Sequence, residues 1–235
     1  MTRNRRHAKA RPGRGTHVRV KTAKGRKLSS TLWLQRQLND PYVEAASRDG
    51  YRSRAAYKLA ELNDRFGLLK KGAKVIDLGA APGGWTQVIA TATGAKNRST
   101  GGRVVAIDMA PMDPLEGAEI LTLDFLGPSA SETIMGCLGG PADAVLSDLA
   151  PAMTGHAKTD HLRIMALAEA AFEFAKEVLA PDGVFVAKVL QGGTEQNLLA
   201  DMKKFFAAVR HTKPPASRSD SSEIYVVAAG FRGLK

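Results

Sequence analysis

Lys188 lies inside Val184-Phe-Val-Ala-Lys-Val-Leu190, a run that otherwise reads as a fully buried strand. Lysine is almost never fully buried without a partner, and an unpaired buried charge is very costly. The position therefore implies either a paired amine lining a crevice or a lysine snorkelling from an edge strand. Four acids close earlier apolar runs: Asp77 in VID, Asp108 in VVAID, Asp124 in LTLD and Asp148 in AVLSD. One such acid is ordinarily a turn former or helix cap. Four at successive strand ends line one crevice with negative charge, which suits a cationic ligand bearing hydroxyls. Glu223 opens a final apolar run, EIYVV, and Lys58, in SRAAYKL, reads equally well as an ordinary exposed helix lysine.

Asp77 leads into Gly79-Ala-Ala-Pro-Gly-Gly-Trp85. Gly79 permits a tight turn, Pro82 fixes its own φ, and Gly83 and Gly84 let backbone approach a ligand. Trp85 opens a helix whose N-terminal amides face that ligand. A nicotinamide loop would read G-x-G-x-x-G, with an acid about 20 residues further on. Here the glycines stand as G-x-x-x-G-G, and Asp108 follows Asp77 by 31 residues. The loop suits a smaller ligand with no pyrophosphate and disfavours a nicotinamide oxidoreductase. S-adenosylmethionine, with a sulfonium and a ribose diol, fits the acidic crevice, Asp108 being placed for the ribose and Asp124 nearer the base. Taken alone, the loop could also be a plain strand-to-helix turn with packing glycines.

The elements that must position these residues alternate along the chain. Strands are predicted over 74–79, 103–108, 119–124, 144–149 and 183–190, with a last pair near 208–213 and 223–231. Helices are predicted over 32–38, 53–66, 85–94, 130–138, 160–179 and 194–208. Asn39-Asp-Pro41 reads as the stop of the first of them. Strands separated by helices imply right-handed crossovers and a mostly parallel sheet covered on both faces, with ligands beyond the carboxyl ends of the strands. Residues 95–102 read as a flexible surface connection, and Pro214-Pro215 with the following polar cluster as a long loop. Cys137 is expected in the core at a helix end, Asp160 as a helix cap, and His156 and His161 on the loop after the fourth strand.

At 235 residues the chain fits one α/β domain. No apolar run approaches the ~20 residues of a membrane span, and no signal-peptide pattern opens the chain. One cysteine excludes a disulfide framework or a Cys-rich zinc site, and five histidines show no ligand spacing, so no metal is expected. A cytoplasmic monomer is the expectation. Charge is uneven: of 34 Lys/Arg, twelve lie in residues 1–37 with no acid, leaving 22 basic against 23 acidic groups. Residues 1–31 read as a basic arm, disordered when free, that binds RNA phosphates, and residues 32–235 as a single catalytic domain. A solvated tail and a transit peptide are the competing readings, but Pro12, Gly13 and Gly15 break the amphipathic helix the latter needs.

Taken in order, SRAAYKL (53–59), DLGAAPGGW (77–85), DMAPM (108–112), LSDLAP (146–151), AKVLQG (187–192) and SSEIY (221–225) resemble the FtsJ/RrmJ (RlmE) family of ribose 2′-O-methyltransferases. The resemblance covers nearly everything but the arm. It implies a Rossmann-like class I S-adenosylmethionine-dependent fold, a seven-stranded, mostly parallel sheet with an antiparallel last strand. It also implies a K-D-K-E tetrad of Lys58, Asp148, Lys188 and Glu223. Cofactor contacts implied by position are Gly83, Trp85, Asp108, Asp124 and Asp148, beside Asp77, Gly79 and Gly84 of the loop. The implied reaction is methylation of a uridine ribose in the A-loop of 23S ribosomal RNA within the large subunit. The alternatives are a transfer-RNA ribose methyltransferase and a non-catalytic RNA-binding assembly factor. A ribose hydroxyl is a weak acid, so a base helps as the O–C bond forms. A lysine can serve if burial or a neighbouring cation lowers its pKa. Two lysines close together push each other that way, while Asp148 and Glu223 orient them and oppose it.

Overall fold

Apolar runs of strand length, interleaved with helices, assemble into one sheet in the computed structural model, which describes residues 18–21, 24–97, 99, 101–151, 154–192 and 195–233. The chain runs α1 (Leu28–Leu38), α2 (Pro41–Asp49), α3 (Ala55–Phe66), β1 (Lys74–Leu78), α4 (Gly84–Thr93), β2 (Arg103–Asp108) and β3 (Glu119–Thr122). It continues through α5 (Ala130–Leu138), β4 (Ala142–Ser147), α6 (Ala157–Val178), β5 (Leu179–Leu190), α7 (Glu195–Phe205), β6 (Phe206–Thr212) and β7 (Glu223–Phe231). The strand order is β3-β2-β1-β4-β5-β7-β6. β1 pairs in parallel with both β2 and β4, and β4 with β5, whereas β7 is antiparallel to β5 and β6. The order therefore reverses at β1, and a ligand crevice opens there beyond the carboxyl ends of β1 and β4. Backbone bonds carry the register past the strand ends: the amides of Gly79 and Ala80 donate to Ile107 O at 2.9 and 3.1 Å, and Asp148 N donates to Leu78 O at 3.2 Å.

Side chains alternate across a sheet, so each strand's parity decides which helical layer a residue meets. Ile76, Val105, Val145, Phe185 and Val226 pack toward α5, α6 and α7. Val75, Val104, Ala144, Leu146, Val186, Tyr225 and Val227 pack toward α3 and α4. By the same parity Asp77, Asp148, Lys188 and Glu223 belong to the α3/α4 face. A slip of one residue in any of these strands would carry its polar group into the opposite, apolar layer.

The Asn39-Asp-Pro41 signal does more than stop α1. Asp40 caps a further helix, α2, which the sequence reading did not contain: Asp40 Oδ1 accepts from Tyr42 N at 3.0 Å and Pro41 takes the first helical position. A proline that ends one helix is equally suited to begin the next, because its missing N–H is unneeded there. α1 starts at Leu28, earlier than predicted, and the expected arm's residues 1–17 lie outside the described ones. α6 starts at Ala157, so His156 is its N-cap and His161 lies within it, not on a loop. Asp160, instead of capping the helix, accepts from Thr154 N, Thr154 Oγ1 and Gly155 N at 2.7, 2.8 and 3.1 Å and fastens the preceding turn.

Gly79 has φ of 75°, and a Cβ there would stand 3.0 Å from Leu149 Cα. Gly79→Ala should lower stability by about 2 kcal/mol, combining left-handed strain with overpacking against backbone. A urea midpoint equal to that of the parent chain would refute this.

Candidate active site

Four ionisable side chains and one phenol form a single hydrogen-bonded network at the carboxyl edge of β4 and β5 and the start of β7. Lys58 Nζ, reaching in from α3, stands 2.7 Å from Glu223 Oε1. Lys188 Nζ stands 3.2 Å from Asp148 Oδ1 and donates to Asp148 O at 2.9 Å. Tyr225, opposite Lys188 in the β5–β7 register and fully buried, joins the two pairs. Its hydroxyl donates to Asp148 Oδ1 at 2.7 Å and accepts from Lys58 Nζ at 3.3 Å, with Glu223 Oε1 at 3.4 Å. Ser217 Oγ donates to Glu223 Oε1 at 2.9 Å and fixes the outer end. The structure thus gathers Lys58, Asp148, Lys188 and Glu223 into one place. The snorkelling alternative for Lys188 fails, because its side chain is 8% exposed and β5 is interior to the sheet.

Electrostatics act in opposite senses on two members of this network. Burial by itself would raise the Asp148 carboxyl, but Lys188, then Lys58, and the Tyr225 hydroxyl outweigh it and hold it below the ordinary carboxylate range. Burial, followed by the Asp148 and Glu223 carboxylates, pushes the Tyr225 hydroxyl well above its usual value, so it remains a donor.

The glycine loop lies beside this network. Gly83 has φ of 110°, strained for any residue with a side chain, and a Cβ there would press on Arg52 Nη1 at 2.9 Å and Met112 Sδ at 3.0 Å. A Cβ on Gly84 would collide with Ser53 Oγ just before α3. Trp85 is buried, donates to Ala55 O at 2.9 Å, and sets its ring 5.7 Å from that of Tyr225, so it ties α4 to α3 and β7. Asp108 receives Ala81 N at 3.0 Å and Ala110 N at 2.8 Å, so its carboxylate braces the loop. Asp124 lies beyond β3, exposed, and accepts from Leu126 N at 3.0 Å. Asp77 is fully buried; Oδ2 accepts from Thr86 Oγ1 at 2.7 Å, while Oδ1 has no partner. Burial first, opposed by Thr86 and reinforced by Asp148 and Asp108, pushes its pKa up to about 7. An orphaned carboxylate oxygen and three further acids around one glycine turn fit a cationic ligand bearing hydroxyls.

Two supports escaped the sequence reading. Arg52 draws two loops together, donating to Pro82 O at 3.3 Å, Asp113 O at 2.8 Å and Pro114 O at 2.7 Å. The second support is a polar stripe on α3 and its cap, Arg54, Lys58, Glu61 and Arg65, whose helical spacing was the available signal. Arg54 donates to Ala216 O and pairs with Asp40, Glu61 Oε2 accepts from Ala216 N at 2.7 Å, and Arg65 donates to Thr212 Oγ1 at 2.6 Å. The stripe runs along the β6–β7 connection and sets the position of Ser217.

A doubly covered sheet of this order, with a glycine turn at the switch point, defines a Rossmann-like class I methyltransferase fold. The chain belongs to the FtsJ-like methyltransferase family, whose model matches residues 51–231. It is 61% identical over 220 residues to ribosomal RNA large subunit methyltransferase E of Paramagnetospirillum magneticum, covering 94% of this chain and 90% of that one. The Cereibacter sphaeroides protein of the same name is 59% identical over 94% of this chain and 93% of its own length. Among solved structures, one from Plasmodium falciparum assigned as a ribosomal RNA methyltransferase superposes with a TM-score of 0.68 at 29% identity, over 78% of this chain and all of that one. A methyltransferase activity with S-adenosylmethionine as cofactor is therefore established by family, as the resemblance implied.

Asp77 gives the site a pH signature. Between about pH 4 and about pH 7 the unfolded chain has released a proton that folded Asp77 retains, so stability falls as pH rises across that window. Asp77→Asn cannot titrate and should flatten the decline, by an amount on the order of a few kcal/mol. Urea denaturation at intervals from pH 4 to 8 measures it; parallel curves for both chains would refute the assignment.

Proposed function

We propose that this chain transfers methyl to a ribose 2′-oxygen of large-subunit ribosomal RNA, with Lys58, Asp148, Lys188 and Glu223 as the catalytic set. One observation carries the reading: two Lys–carboxylate pairs, at 2.7 and 3.2 Å, share one phenol beside the glycine turn. When bound, S-adenosylmethionine supplies an electrophilic methyl carbon on sulfur. Asp77, Gly79, Gly83, Gly84, Trp85, Asp108, Asp124 and Asp148 would form its cradle, by backbone approach at the glycines and by charge at the acids. Lys58, held by Glu223 and by the phenolic oxygen, positions the ribose. Lys188, held by both the side chain and the carbonyl of Asp148, meets the 2′-hydroxyl; once its ammonium has given a proton to solvent, the neutral amine takes the hydroxyl proton as the oxygen attacks. Because the pairs are already made, alignment of the hydroxyl costs little reorganisation, which is the larger part of what such a site can contribute.

The substrate follows from charge and from the relatives' shared name. The finer target is a uridine of the 23S A-loop, modified on the assembled or nearly assembled large subunit. Residues 32–235 form the single catalytic domain of this reading, acting as a cytoplasmic monomer. Residues 1–31 form an arm that holds RNA by its phosphates, which explains why the excess charge is confined there. No helix among the described residues is long and apolar enough to cross a membrane.

Labelled methyl from S-adenosylmethionine should enter unmodified large ribosomal subunits, map to a ribose 2′-oxygen, and be absent from transfer RNA. Lys188→Ala should lose at least about three orders of magnitude in kcat, the scale of a lost general base plus lost positioning, while cofactor affinity changes little. Label in transfer RNA alone would overturn the substrate, and near-parental turnover by Lys188→Ala would overturn the mechanism. Tyr225→Phe removes the shared hydroxyl and should lower kcat by about tenfold, as for one hydrogen bond to a charged partner. An unchanged kcat would show that the two pairs act independently.

A further inference from the structure

Eight large apolar side chains stand exposed among the described residues, and five of them, Val18, Leu28, Leu32, Trp33 and Leu38, belong to α1 or the segment leading into it. Trp33 is 56% exposed, whereas the other tryptophan, Trp85, is 3% exposed. Positions 28, 32, 33 and 38 do not share one helical face. An interfacial membrane helix or a helix docking in a protein groove needs one continuous apolar stripe, and α1 lacks it. The sequence leading into and through α1 is cationic instead, since residues 1–37 hold twelve Lys/Arg and no acid.

Residues three and four apart are neighbours on a helix surface, so Trp33 adjoins Arg36 and Gln37. Those two residues line a cavity of about 340 Å³ whose other walls include Arg54, Lys58, Arg218, Asp220 and Glu223. The cavity is thus continuous with the Lys58–Glu223 pair of the active site. Asp40 pairs with Arg54 and Arg218, whereas Arg36 has no ion-pair partner among the described residues. An exposed indole one turn from an arginine that lines a cavity leading to the proposed ribose-binding site has the make-up of a single-strand platform. The indole offers a face to any base, and the arginine offers charge to the adjoining phosphate.

We propose that Trp33 stacks on an unpaired base of the RNA substrate close to the methylated ribose, with Arg36 on the intervening phosphate. The proposal rests on the reading of the acceptor as an RNA ribose. It adds that the neighbouring nucleotides must be splayed out of any helix to be held.

Acrylamide quenching of tryptophan emission tests it on the full chain, because buried Trp85 leaves Trp33 as the residue acrylamide reaches. A short single-stranded oligouridylate should shield Trp33, while a self-complementary RNA duplex should bind in a salt-sensitive manner without shielding it. Trp33→Ala should weaken oligouridylate binding roughly 5- to 100-fold and leave duplex binding unchanged, and Trp33→Phe should restore most of the loss. Equal shielding by the duplex, or unchanged oligouridylate affinity in Trp33→Ala, would overturn the proposal. A loss seen only with intact ribosomal subunits would assign the face to a ribosomal protein and overturn it as well. The readout is binding, so it stands or falls separately from any failure of methyl transfer.

Discussion

Placing an ammonium in the middle of an apolar strand obliges the fold to supply a fixed anion, and much of the architecture around Lys188 meets that obligation. β4 must end at Ser147 so that Asp148 leaves the sheet beside the amine. β7 must run antiparallel, so that Tyr225 pairs with Lys188 in register and returns its hydroxyl to the same carboxylate. Breaking such a pair by truncating one member leaves an uncompensated buried charge, typically a cost of about 3–5 kcal/mol. The same geometry that makes the site chemically ready therefore makes it intolerant of partial change.

Around that centre the supports are arranged by helical spacing. α3 carries Lys58 inward while Glu61, a turn further on, and Arg54, a turn before, grip the chain between β6 and β7 at Ala216, and Arg65 holds the end of β6 at Thr212. The loop bearing Ser217 is therefore positioned by the helix that bears Lys58, and the two ends of the Lys58–Glu223 pair are set by one element. Arg52 does the same for the cofactor side, holding carbonyls of Pro82, Asp113 and Pro114 with one guanidinium.

Much of this was legible in the residues. The alternation of short apolar runs with amphipathic stretches foretold the parallel sheet, and the acids at its strand ends foretold the crevice. Lys188 stood out because its neighbours were so uniformly apolar. What escaped was governed by tertiary partners. Nothing local distinguishes Asp40-Pro41 as a helix start from Asp40-Pro41 as a helix stop, and the structure uses it as both. Tyr225 read as one aromatic in a buried strand, because the carboxylates that give its hydroxyl a role lie 77 and 2 residues away in sequence. Arg54 read as part of a motif and Arg52 drew no reading, while the carbonyls they hold come from remote loops.

The two Lys–carboxylate pairs sum to no net charge, and so does nearly all of the chain beyond residue 37, with 22 basic and 23 acidic groups. On the proposed reading, attraction for a polyanion falls to the basic first 37 residues and preparation for chemistry to the enclosed pairs. Dissolved ions screen exposed charges within about 10 Å at 0.1 M and reach enclosed pairs far less. On that reading ionic strength becomes a selector for the step it slows: rising salt would loosen the grip on RNA while the enclosed dipoles would meet each captured ribose unchanged.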